Sequence, residues 1–336
     1  MKKTGKVRVW IDIKNSHEPL FFKSLLKELP YDFYLTARDY PEIIGLMQKH
    51  GLKYRAIGRY YGKKKIGKAF NLGLRTAQLA ALTPRFDFSM SHASIYGILA
   101  SRIRMKPSIT IGDNDFDNKI NKITYRYSTH VIVPEALQME RFRVKNLITF
   151  DGFKEDIYLA DFSASECRRE IPYEDYVIVR PESSHAHYIS MKESIVQPLI
   201  KKLTDQGTNV VLLPRYPEEK AHYMESYKEN SMVFIPEKPI NGLCGAWFSS
   251  AVLTGAGTLA REAACMGIPS VSFFPGQELL SVDRKMVNMG WIYRSRNVEE
   301  IVRYVNSSSR RKADLSRSKK AKEEVVKAIK EIINGD

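Results

Sequence analysis

Cysteine is scarce in this chain, whose 336 residues contain only Cys167, Cys244 and Cys265. None of the three stands at the close spacing that is typical of a zinc site or a redox-active pair. Few cysteines without such spacing are typical of proteins kept in a reducing compartment. The sequence therefore predicts a cytoplasmic protein whose three cysteines are free thiols, in the core or near the surface.

Long apolar runs are also missing, and none approaches the roughly 20 residues that a membrane-spanning helix needs. The first residues, MKKTGKVRVWIDI, are basic and then apolar, as in a secretory signal peptide. However, Asp12 and Lys14 interrupt the apolar run, and no small-residue cleavage site follows it. We interpret this segment as a first β-strand and expect a protein that is at most peripheral to a membrane.

Acidic residues are outnumbered, because 53 Lys and Arg against 38 Asp and Glu give a net charge of +15. This balance favours an anionic partner: a nucleic acid, an acidic lipid surface or a phosphorylated substrate. The sequence has no helix-turn-helix, zinc-finger or RNA-binding signature, so a nucleic acid is the least favoured of the three. Hydrophobic residues make up 43% of the chain, which is enough for two globular cores at this length.

Predicted strands and helices alternate along the chain. Residues 7–13, 32–36 and 54–57 have the pattern of strands, and the amphipathic segments 20–29 and 41–50 between them have the pattern of helices. This order is typical of a parallel sheet with right-handed crossovers. The sequence therefore predicts the α/β class, with Rossmann-like doubly wound sheets.

The domain organisation follows from where this alternation breaks. The polar segment 161–172 has no strand pattern, and we interpret it as a hinge before a second strand–helix series. We therefore predict two Rossmann-like domains, residues 1–160 and 161–309, followed by an amphipathic C-terminal helix at 310–336. Open α/β sheets bind ligands at the carboxyl ends of their strands, so we expect a ligand in a cleft between the two domains.

The stretch LTGAGTLAREAACMGIPSVSFF, residues 253–274, reads as strand, glycine turn, helix and strand. Gly255 and Gly257 would let the backbone approach a ligand, and the helix start offers free N–H groups to an anion. Thr258 could cap this helix or donate to a phosphate. Glu262, four residues on, could accept hydrogen bonds from ribose hydroxyls. An ordinary strand–turn–helix with a surface glutamate is the alternative.

Polar side chains follow the first two predicted strands. Asn15, Ser16, His17 and Glu18 come after the first strand, where His17 could be a general base or bind an anion and Glu18 could be a base. The alternative is a turn capped by Asn15 and Ser16, with the histidine and glutamate at the surface. Arg38 follows the second strand, where we expect it to bind substrate.

The segment GDNDFD, residues 112–117, carries three carboxylates after another predicted strand. Asp113 and Asp115 are candidates for a general base or for substrate binding. A metal site is a weaker interpretation because the rest of a calcium-binding loop is missing. Acids at such a turn can also cap a helix.

Further polar side chains follow strands of the second half, where they can contact a substrate: Arg180, Glu182, His185, Arg215, Gln277 and Asp283. An arginine at such a place can bind a diphosphate, although it can also form a structural salt bridge. His185 and His187 have no further metal ligand near them in sequence, so we do not predict zinc there.

The motif Gly255-x-Gly257-Thr258-x-x-x-Glu262-x-x-x-x-Gly267 resembles the nucleotide-sugar half of glycosyltransferases with the GT-B fold. It is similar to the N-acetylglucosaminyltransferase that completes the lipid-linked peptidoglycan precursor and to the non-hydrolysing UDP-N-acetylglucosamine 2-epimerases. More closely, the chain resembles a mostly archaeal family of GT-B-like proteins catalogued as a domain of unknown function. That resemblance is carried by WIDIKNSHEPLFF, TARD, GDND, VRPESSHAHY, LLPR and GAGTLAREAACMGIPSVSFFPG.

The resemblance implies roles for the glycine-turn motif and its surroundings. Glu262 would contact the ribose, Gln277 would lie near the sugar, and three residues would lie by the diphosphate: Gly255, Gly257 and Thr258. The epimerases also use carboxylates in the first domain and a histidine in the second. Asp113, Asp115 and His185 stand in comparable regions of this chain.

From these features we predict a metal-independent glycosyltransferase that takes a sugar from a nucleotide-sugar, with a UDP-linked sugar as the first candidate. No cofactor is expected, because GT-B enzymes hold the diphosphate with a helix dipole and basic groups. His17, Glu18 or Asp113 would take the proton of an unknown acceptor. The basic segment 59–68 could lie against anionic lipid if that acceptor is lipid-linked. A 2-epimerase-like enzyme and a non-catalytic scaffold that binds nucleotide or polyanion are the alternatives.

Overall fold

The computed structural model describes residues 6–59, 65–182 and 194–335. The chain divides into two compact units. Unit 1 comprises Met1–Asp161 and Ser316–Asp336, and unit 2 comprises Phe162–Leu315. Within the described residues, no helix has the length and apolar character required to cross a membrane.

Unit 1 is built on a parallel sheet whose strands, within the described residues, lie in the order β3-β2-β1-β4-β5-β6-β7. Its strands are β1 (Arg8–Ile13), β2 (Asp32–Asp39), β3 (Arg55–Arg59), β4 (Phe88–His92), β5 (Ser108–Ile111), β6 (His130–Pro134) and β7 (Leu147–Phe150). The α-helices described in the first segment of unit 1, before Asp161, are α1 (Glu18–Leu26), α2 (Pro41–Lys49), α3 (Lys65–Leu82), α4 (Ile95–Ile103), α5 (Lys119–Tyr127) and α6 (Lys154–Leu159).

Unit 2 repeats the architecture with the strand order β10-β9-β8-β11-β12-β13. Its strands are β8 (Val177–Arg180), β9 (Val210–Leu212), β10 (Val233–Phe234), β11 (Ala251–Thr254), β12 (Ser270–Ser272) and β13 (Tyr293–Arg294). Its helices are α7 (Val196–Asp205), α8 (Pro217–Ser226), α9 (Gly242–Phe248), α10 (Gly257–Cys265), α11 (Ser281–Asn288) and α12 (Val298–Ser307). The two parallel sheets confirm the predicted α/β class with two Rossmann-like units.

Burial explains why the central strands form. Every residue of β1 from Val9 to Ile13 is buried, because the strand lies between β2 and β4 with helices over both faces. Strands covered on both faces favour apolar side chains at their buried positions, and Asp12 is the exception among the five buried residues of β1. A buried carboxylate needs charged or hydrogen-bonded partners, and Asp12 finds them in Arg75, Thr36 and Ser94.

The C-terminal helix, α13 (Leu315–Gly335), starts five residues later than the predicted position 310. From Ser316 onward the chain is part of unit 1. The Ser318 hydroxyl donates to the buried Asp156 carboxylate at 2.7 Å, and the Lys322 ammonium contacts Asp161 at 2.7 Å. The helix therefore stabilises unit 1 by ion pairs as well as by its apolar face.

The expectation of three free thiols is wrong for two of the cysteines. Cys167 and Cys244 form a disulfide within unit 2, although 77 residues separate them in the sequence. Their Cα atoms lie 5.3 Å apart because Cys244 is on α9 and Cys167 follows a short 3-10 helix, Ala164–Glu166. Cys265 is buried and forms no disulfide within the described residues, in agreement with the prediction of a core thiol. Sequence spacing cannot show a pair that only the fold brings together.

Candidate functional site

Each sheet has one place where the order of its strands reverses direction. In unit 1 this place lies between β1 and β4, and in unit 2 it lies between β8 and β11. The chain leaves two such neighbouring strands toward opposite faces of the sheet, which opens a crevice at their carboxyl ends. The side chains that follow these four strands are therefore the first candidates for a site in each unit.

Glu18 lies at this place in unit 1 and is completely buried. It begins α1, which starts two residues earlier than predicted, so the interpretation of Glu18 as a surface residue is wrong. One carboxylate oxygen accepts the backbone N–H of Lys14, and the other accepts the side-chain amide of Asn15, both at 2.7 Å. Burial raises the pKa of Glu18 to about 7, although the nearby Lys14 acts in the opposite direction. Ser16 is half-buried beside this turn.

Two histidines face each other beside Glu18. The distance from Nε2 of His17 to Nδ1 of His92 is 3.4 Å, and the rings meet edge to face with centroids 4.8 Å apart. His17 is half-buried, and it precedes α1. His92 ends β4 and is buried, and this burial lowers its pKa to about 4. His92 is therefore a neutral imidazole at pH 7.

The turn after His92 is strained and carries a buried lysine contact. Ala93 adopts a φ of 47°, which is uncommon for a residue with a side chain. Its carbonyl accepts a hydrogen bond from the Lys14 ammonium at 2.7 Å. Burial lowers the pKa of Lys14, and the charges of Glu18 and Asp12 oppose that effect. Outlying backbone geometry that the surroundings maintain is common at functional sites.

Asp113 belongs to the same cluster. One of its oxygens lies 3.5 Å from Nε2 of His92, and the other lies 2.7 Å from the ammonium of Lys154. Lys154 is itself buried and lies 3.4 Å from the buried carboxylate of Glu155. The structure thus brings Asp113 beside His92, and His92 beside His17 and Glu18.

Asp115 and Asp117 do not join Asp113 in a metal site. Asp115 is buried and accepts the backbone N–H of Gln138 at 3.2 Å. Asp117 pairs with Lys122 at 2.6 Å at the surface. The weaker interpretation of residues 112–117 as a metal site is therefore wrong, because their three carboxylates form no common group of ligands in the described part of the chain.

Beneath this cluster lies a buried ion pair. Both oxygens of Asp12 accept from the Arg75 guanidinium, at 2.7 and 3.0 Å, and both side chains are buried. The hydroxyls of Thr36 and Ser94 complete the environment of this carboxylate at 2.9 and 2.8 Å. The guanidinium also lies over the ring of Tyr96. All the oxygens of Asp12 are thus held by donors, which is what a buried carboxylate requires.

Arg38, predicted to bind substrate, also lies over the Tyr96 ring. Its guanidinium carbon is 5.1 Å from the centre of the Tyr96 ring, against 4.7 Å for Arg75. Its charge also lowers the pKa of Lys14, although burial is the larger cause. Arg38 therefore lies at the edge of the unit 1 cluster.

Within the described parts of the chain, a metal ion could be held by His17, Glu18 and His92. Their three ligand atoms all lie within 4.8 Å of one another. His92 was not among the residues that sequence analysis selected. The signal that could have found it is its position directly after a buried strand at the place where strand order reverses.

The glycine turn of unit 2 is explained by packing inside the protein. A Cβ atom on Gly255 would lie 2.4 Å from Cγ of Glu182 and 2.7 Å from its Cα. Glu182 is buried, and its carboxylate pairs with Arg296 at 3.1 Å. Gly255 also donates its N–H to the carbonyl of Arg180 at 3.0 Å. The space at Gly255 that sequence analysis assigned to a ligand is therefore taken by Glu182.

Helix α10 begins at Gly257, two residues earlier than predicted, and ends as predicted before Gly267, whose φ is 76°. Its N-cap residue is Ala256, which has no side chain that could cap. Thr258 lies in the first turn of the helix, so the prediction that it caps α10 is wrong. Glu262 lies one turn further on and is half-buried.

The remaining predicted residues of unit 2 have different surroundings. Asp283 pairs with the buried Arg261 at 2.8 Å and so packs against Gly257. Arg215 and Gln277 are exposed after β9 and β12. His185 lies outside the described residues, as do the side chains of the basic segment 59–68.

Comparison with known proteins gives a family match along nearly the whole chain. The family model described as "Protein of unknown function (DUF354)" matches residues 7–334. The uncharacterized protein MJ0665 of Methanocaldococcus jannaschii is 26% identical over 323 residues, which is 89% of this chain and 91% of that protein. The resemblance to an archaeal family of unknown function is therefore confirmed.

Solved structures of similar fold include enzymes of nucleotide-sugar chemistry. The UDP-GlcNAc 2-epimerase of Methanocaldococcus jannaschii, in complex with UDP-GlcNAc and UDP, has a TM-score of 0.75 at 14% identity. That match covers 96% of this chain and 99% of the epimerase. A glycotransferase of kitacinnamycin has a TM-score of 0.62 at 11% identity, covering 96% of this chain and 98% of the other. At these identities the likeness shows the fold, which is the GT-B fold.

Proposed function

The chain belongs to the DUF354 family of proteins of unknown function, and from this premise and the geometry above we propose that it is a glycosyltransferase. It takes a sugar from a nucleotide-sugar, with UDP-linked sugars as the first candidates, and moves it to an acceptor of unknown identity. The GT-B fold, which it shares with epimerases and a glycotransferase, supports an enzyme related to nucleotide-sugars. We propose sugar transfer as the reaction, and epimerisation as the second candidate.

The observation that carries this proposal is the start of α10. The helix begins directly after β11, beside the place where strand order reverses, and no side chain caps it. The N–H groups and positive dipole end of such a helix bind anions, so we propose that the donor diphosphate binds here without a metal ion. The hydroxyl of Thr258 would donate to a phosphate, and Glu262, one turn on, would accept from the ribose.

Basic residues at neighbouring strand ends support the same assignment. Arg180 ends β8, which pairs with β11, and Arg215 follows β9. Arginine binds phosphate oxygens through several N–H groups at once. We propose that one or both contact the diphosphate, and that Gln277 after β12 contacts the sugar.

Unit 1 would act on the acceptor. The groups after β1, β4 and β5 form a buried polar cluster with both acids and histidines, which is the kind of environment that can activate a hydroxyl. The high positive charge of the chain favours an anionic acceptor, and a lipid-linked phosphate at a membrane surface is one candidate.

Epimerisation is the second candidate function. Two buried carboxyls of unit 1, Glu18 and Asp113, lie beside the histidine pair, and carboxyls can move a proton at a sugar carbon. The two functions differ in their need for an acceptor. An epimerase converts its nucleotide-sugar alone, whereas a transferase needs an acceptor to release UDP at an appreciable rate.

Replacing Glu262 by alanine is expected to abolish stabilisation of the protein by a UDP-sugar. A ligand at one hundred times its dissociation constant raises the free energy of unfolding by about 2.7 kcal/mol. Thermal unfolding of the wild-type chain with a panel of nucleotides and sugar nucleotides would identify the donor. The Glu262→Ala variant should show no shift with the ligand, measured against its own unfolding temperature without ligand.

Glu225→Ala is the matched control, because Glu225 is exposed on α8 and pairs with the exposed Lys228 at 2.8 Å. It should keep the full shift. A shift that survives Glu262→Ala would remove the ribose role, and no shift with any nucleotide-sugar would remove the proposed function. Steeply salt-dependent binding of a polynucleotide in that case would instead favour a polyanion-binding scaffold.

Incubation of the protein with the UDP-sugar that stabilises it should separate the two chemistries. For a transferase, the nucleotide-sugar should remain unchanged in nuclear magnetic resonance spectra until an acceptor is added. A second UDP-sugar that accumulates without acceptor would instead assign the chain to epimerisation.

A further inference from the structure

The two facing histidines of unit 1 are spaced as ligands of one ion. A hydrogen bond between ring nitrogens has a preferred length of about 2.9–3.0 Å. The nitrogens of His17 and His92 are farther apart, at 3.4 Å. Two imidazole nitrogens that each bind a tetrahedral zinc ion at about 2.0–2.1 Å are about 3.3–3.4 Å apart. The observed distance therefore fits a shared metal ion better than a direct hydrogen bond.

Glu18 supplies a third ligand from the same turn. Its carboxylate and the two ring nitrogens all lie within 4.8 Å of one another. The hydrogen bonds from the Lys14 N–H and the Asn15 amide each use one lone pair of a carboxylate oxygen. Each such oxygen has two lone pairs, so Glu18 can bind an ion while these bonds hold it in position.

Asp113 provides an independent indication. One of its oxygens lies 3.5 Å from Nε2 of His92, the ring nitrogen that does not face His17. This distance is longer than a hydrogen bond, and Nε2 is a buried nitrogen that has no hydrogen-bond partner within the described residues. Histidines that bind a metal usually donate their other ring N–H to a carboxylate, which orients the ring and fixes the tautomer. The Lys154 ammonium, at 2.7 Å, holds Asp113 in turn. His92 is 5% exposed, so its nitrogens can be satisfied only from inside the protein.

We propose that His17, Glu18 and His92 bind one divalent transition-metal ion of the zinc class, with a fourth position open to water or a substrate oxygen. Two nitrogens and one carboxylate oxygen favour zinc, cobalt or nickel over magnesium or calcium, which prefer oxygen ligands. The carboxylates of Asp12 and Asp113 offset the ammonium groups of Lys14 and Lys154 around the site.

The proposal goes beyond the proposed function, because the diphosphate site in unit 2 needs no metal. It changes the expectation of a metal-independent enzyme for unit 1 only. The existence of the site does not depend on the proposed function, but its role rests on it. A zinc-class ion lowers the pKa of a bound hydroxyl, and activation of an acceptor hydroxyl requires such a change.

The test is a zinc titration of the full chain after removal of metal with EDTA and dialysis. Zinc is added in competition with a chromogenic chelator, and cobalt is used in parallel for its visible absorption bands. We expect one ion per chain with a dissociation constant below about 1 μM. His17→Ala and His92→Ala should each weaken binding at least about 100-fold, and Asp113→Asn about 10- to 100-fold.

His222→Ala is the matched control, because His222 is an exposed histidine of α8 in unit 2 and its loss should leave zinc binding unchanged. Circular dichroism of each variant shows whether it folds. If His92→Ala does not fold, zinc binding is measured instead for His17→Ala, because His17 is only half-buried, and for the conservative variant Glu18→Gln. A wild-type chain without one-to-one binding tighter than about 1 μM would overturn the proposal. So would equal affinity in His17→Ala and the wild type. Neither outcome depends on binding of a UDP-sugar to unit 2.

Discussion

Replacing Arg75 by methionine is expected to lower the free energy of unfolding of unit 1 by about 3–5 kcal/mol. The guanidinium is the charged partner of Asp12, and the two side chains are 4% and 1% exposed. Without it, a carboxylate remains in the centre of a sheet that is covered on both faces. Methionine keeps the apolar stem of the side chain and removes the guanidinium together with its contact to the Tyr96 ring, so the loss reports the charged group.

Urea unfolding of the full chain, followed by circular dichroism, measures this loss. Arg8→Met is the control, because the Arg8–Asp32 pair is 3.8 Å long and its side chains are 59% and 63% exposed. Exposed pairs of this kind contribute at most about 1 kcal/mol. The double variant Arg75→Met/Asp12→Asn should recover much of the stability, because no buried charge is then left without a partner. Additive losses in the double variant would contradict this account.

The sequence predicts well those parts of the fold that depend on local patterns. The alternation of apolar strands and amphipathic helices gives both parallel sheets, because each element repeats a period of hydrophobic residues that the sequence shows directly. Gly267 ends α10 as predicted, since its positive φ suits glycine.

Residues whose environment depends on distant partners are not predictable in this way. Helix α6 begins with Lys154, Glu155 and Asp156, a run of charges that indicates an exposed turn, yet all three are buried. Each is satisfied by a partner: Asp113 binds Lys154, Lys154 binds Glu155, and Arg317 binds Asp156 across 161 residues of sequence. No local pattern contains that information.

The candidate site of unit 1 shows the same division. His17, Glu18 and Asp113 could be selected because they follow apolar strands, and the structure brings them together with His92. The burial of Glu18 could not be foreseen, because a glutamate at a helix start is usually solvated. It is buried here because the amide of Asn15 and the N–H of Lys14 replace water around its carboxylate.

Replacing Gly255 by alanine is expected to lower the free energy of unfolding of unit 2 by about 3 kcal/mol. The added Cβ would lie 2.7 and 2.8 Å from backbone atoms of Glu182, distances that real Cβ atoms do not show. Glu182 cannot move aside easily, since Arg296 and the Ser194 hydroxyl hold its carboxylate at 3.1 and 2.8 Å. The strands before the two residues are also paired, because Thr254 of β11 lies opposite Arg180 of β8.

Gly242→Ala is the matched control, because nothing lies within 4 Å of a Cβ at this position at the start of α9. It should change stability by less than about 1 kcal/mol, with stabilisation expected in a helix. The comparison also separates two explanations of the glycine turn. If Gly255→Ala unfolds like the wild type in urea but loses its thermal shift with a UDP-sugar, the ligand and not Glu182 requires a glycine there. A large loss of stability without ligand assigns Gly255 to the packing of β8 against β11, and the diphosphate contact then rests on the first turn of α10.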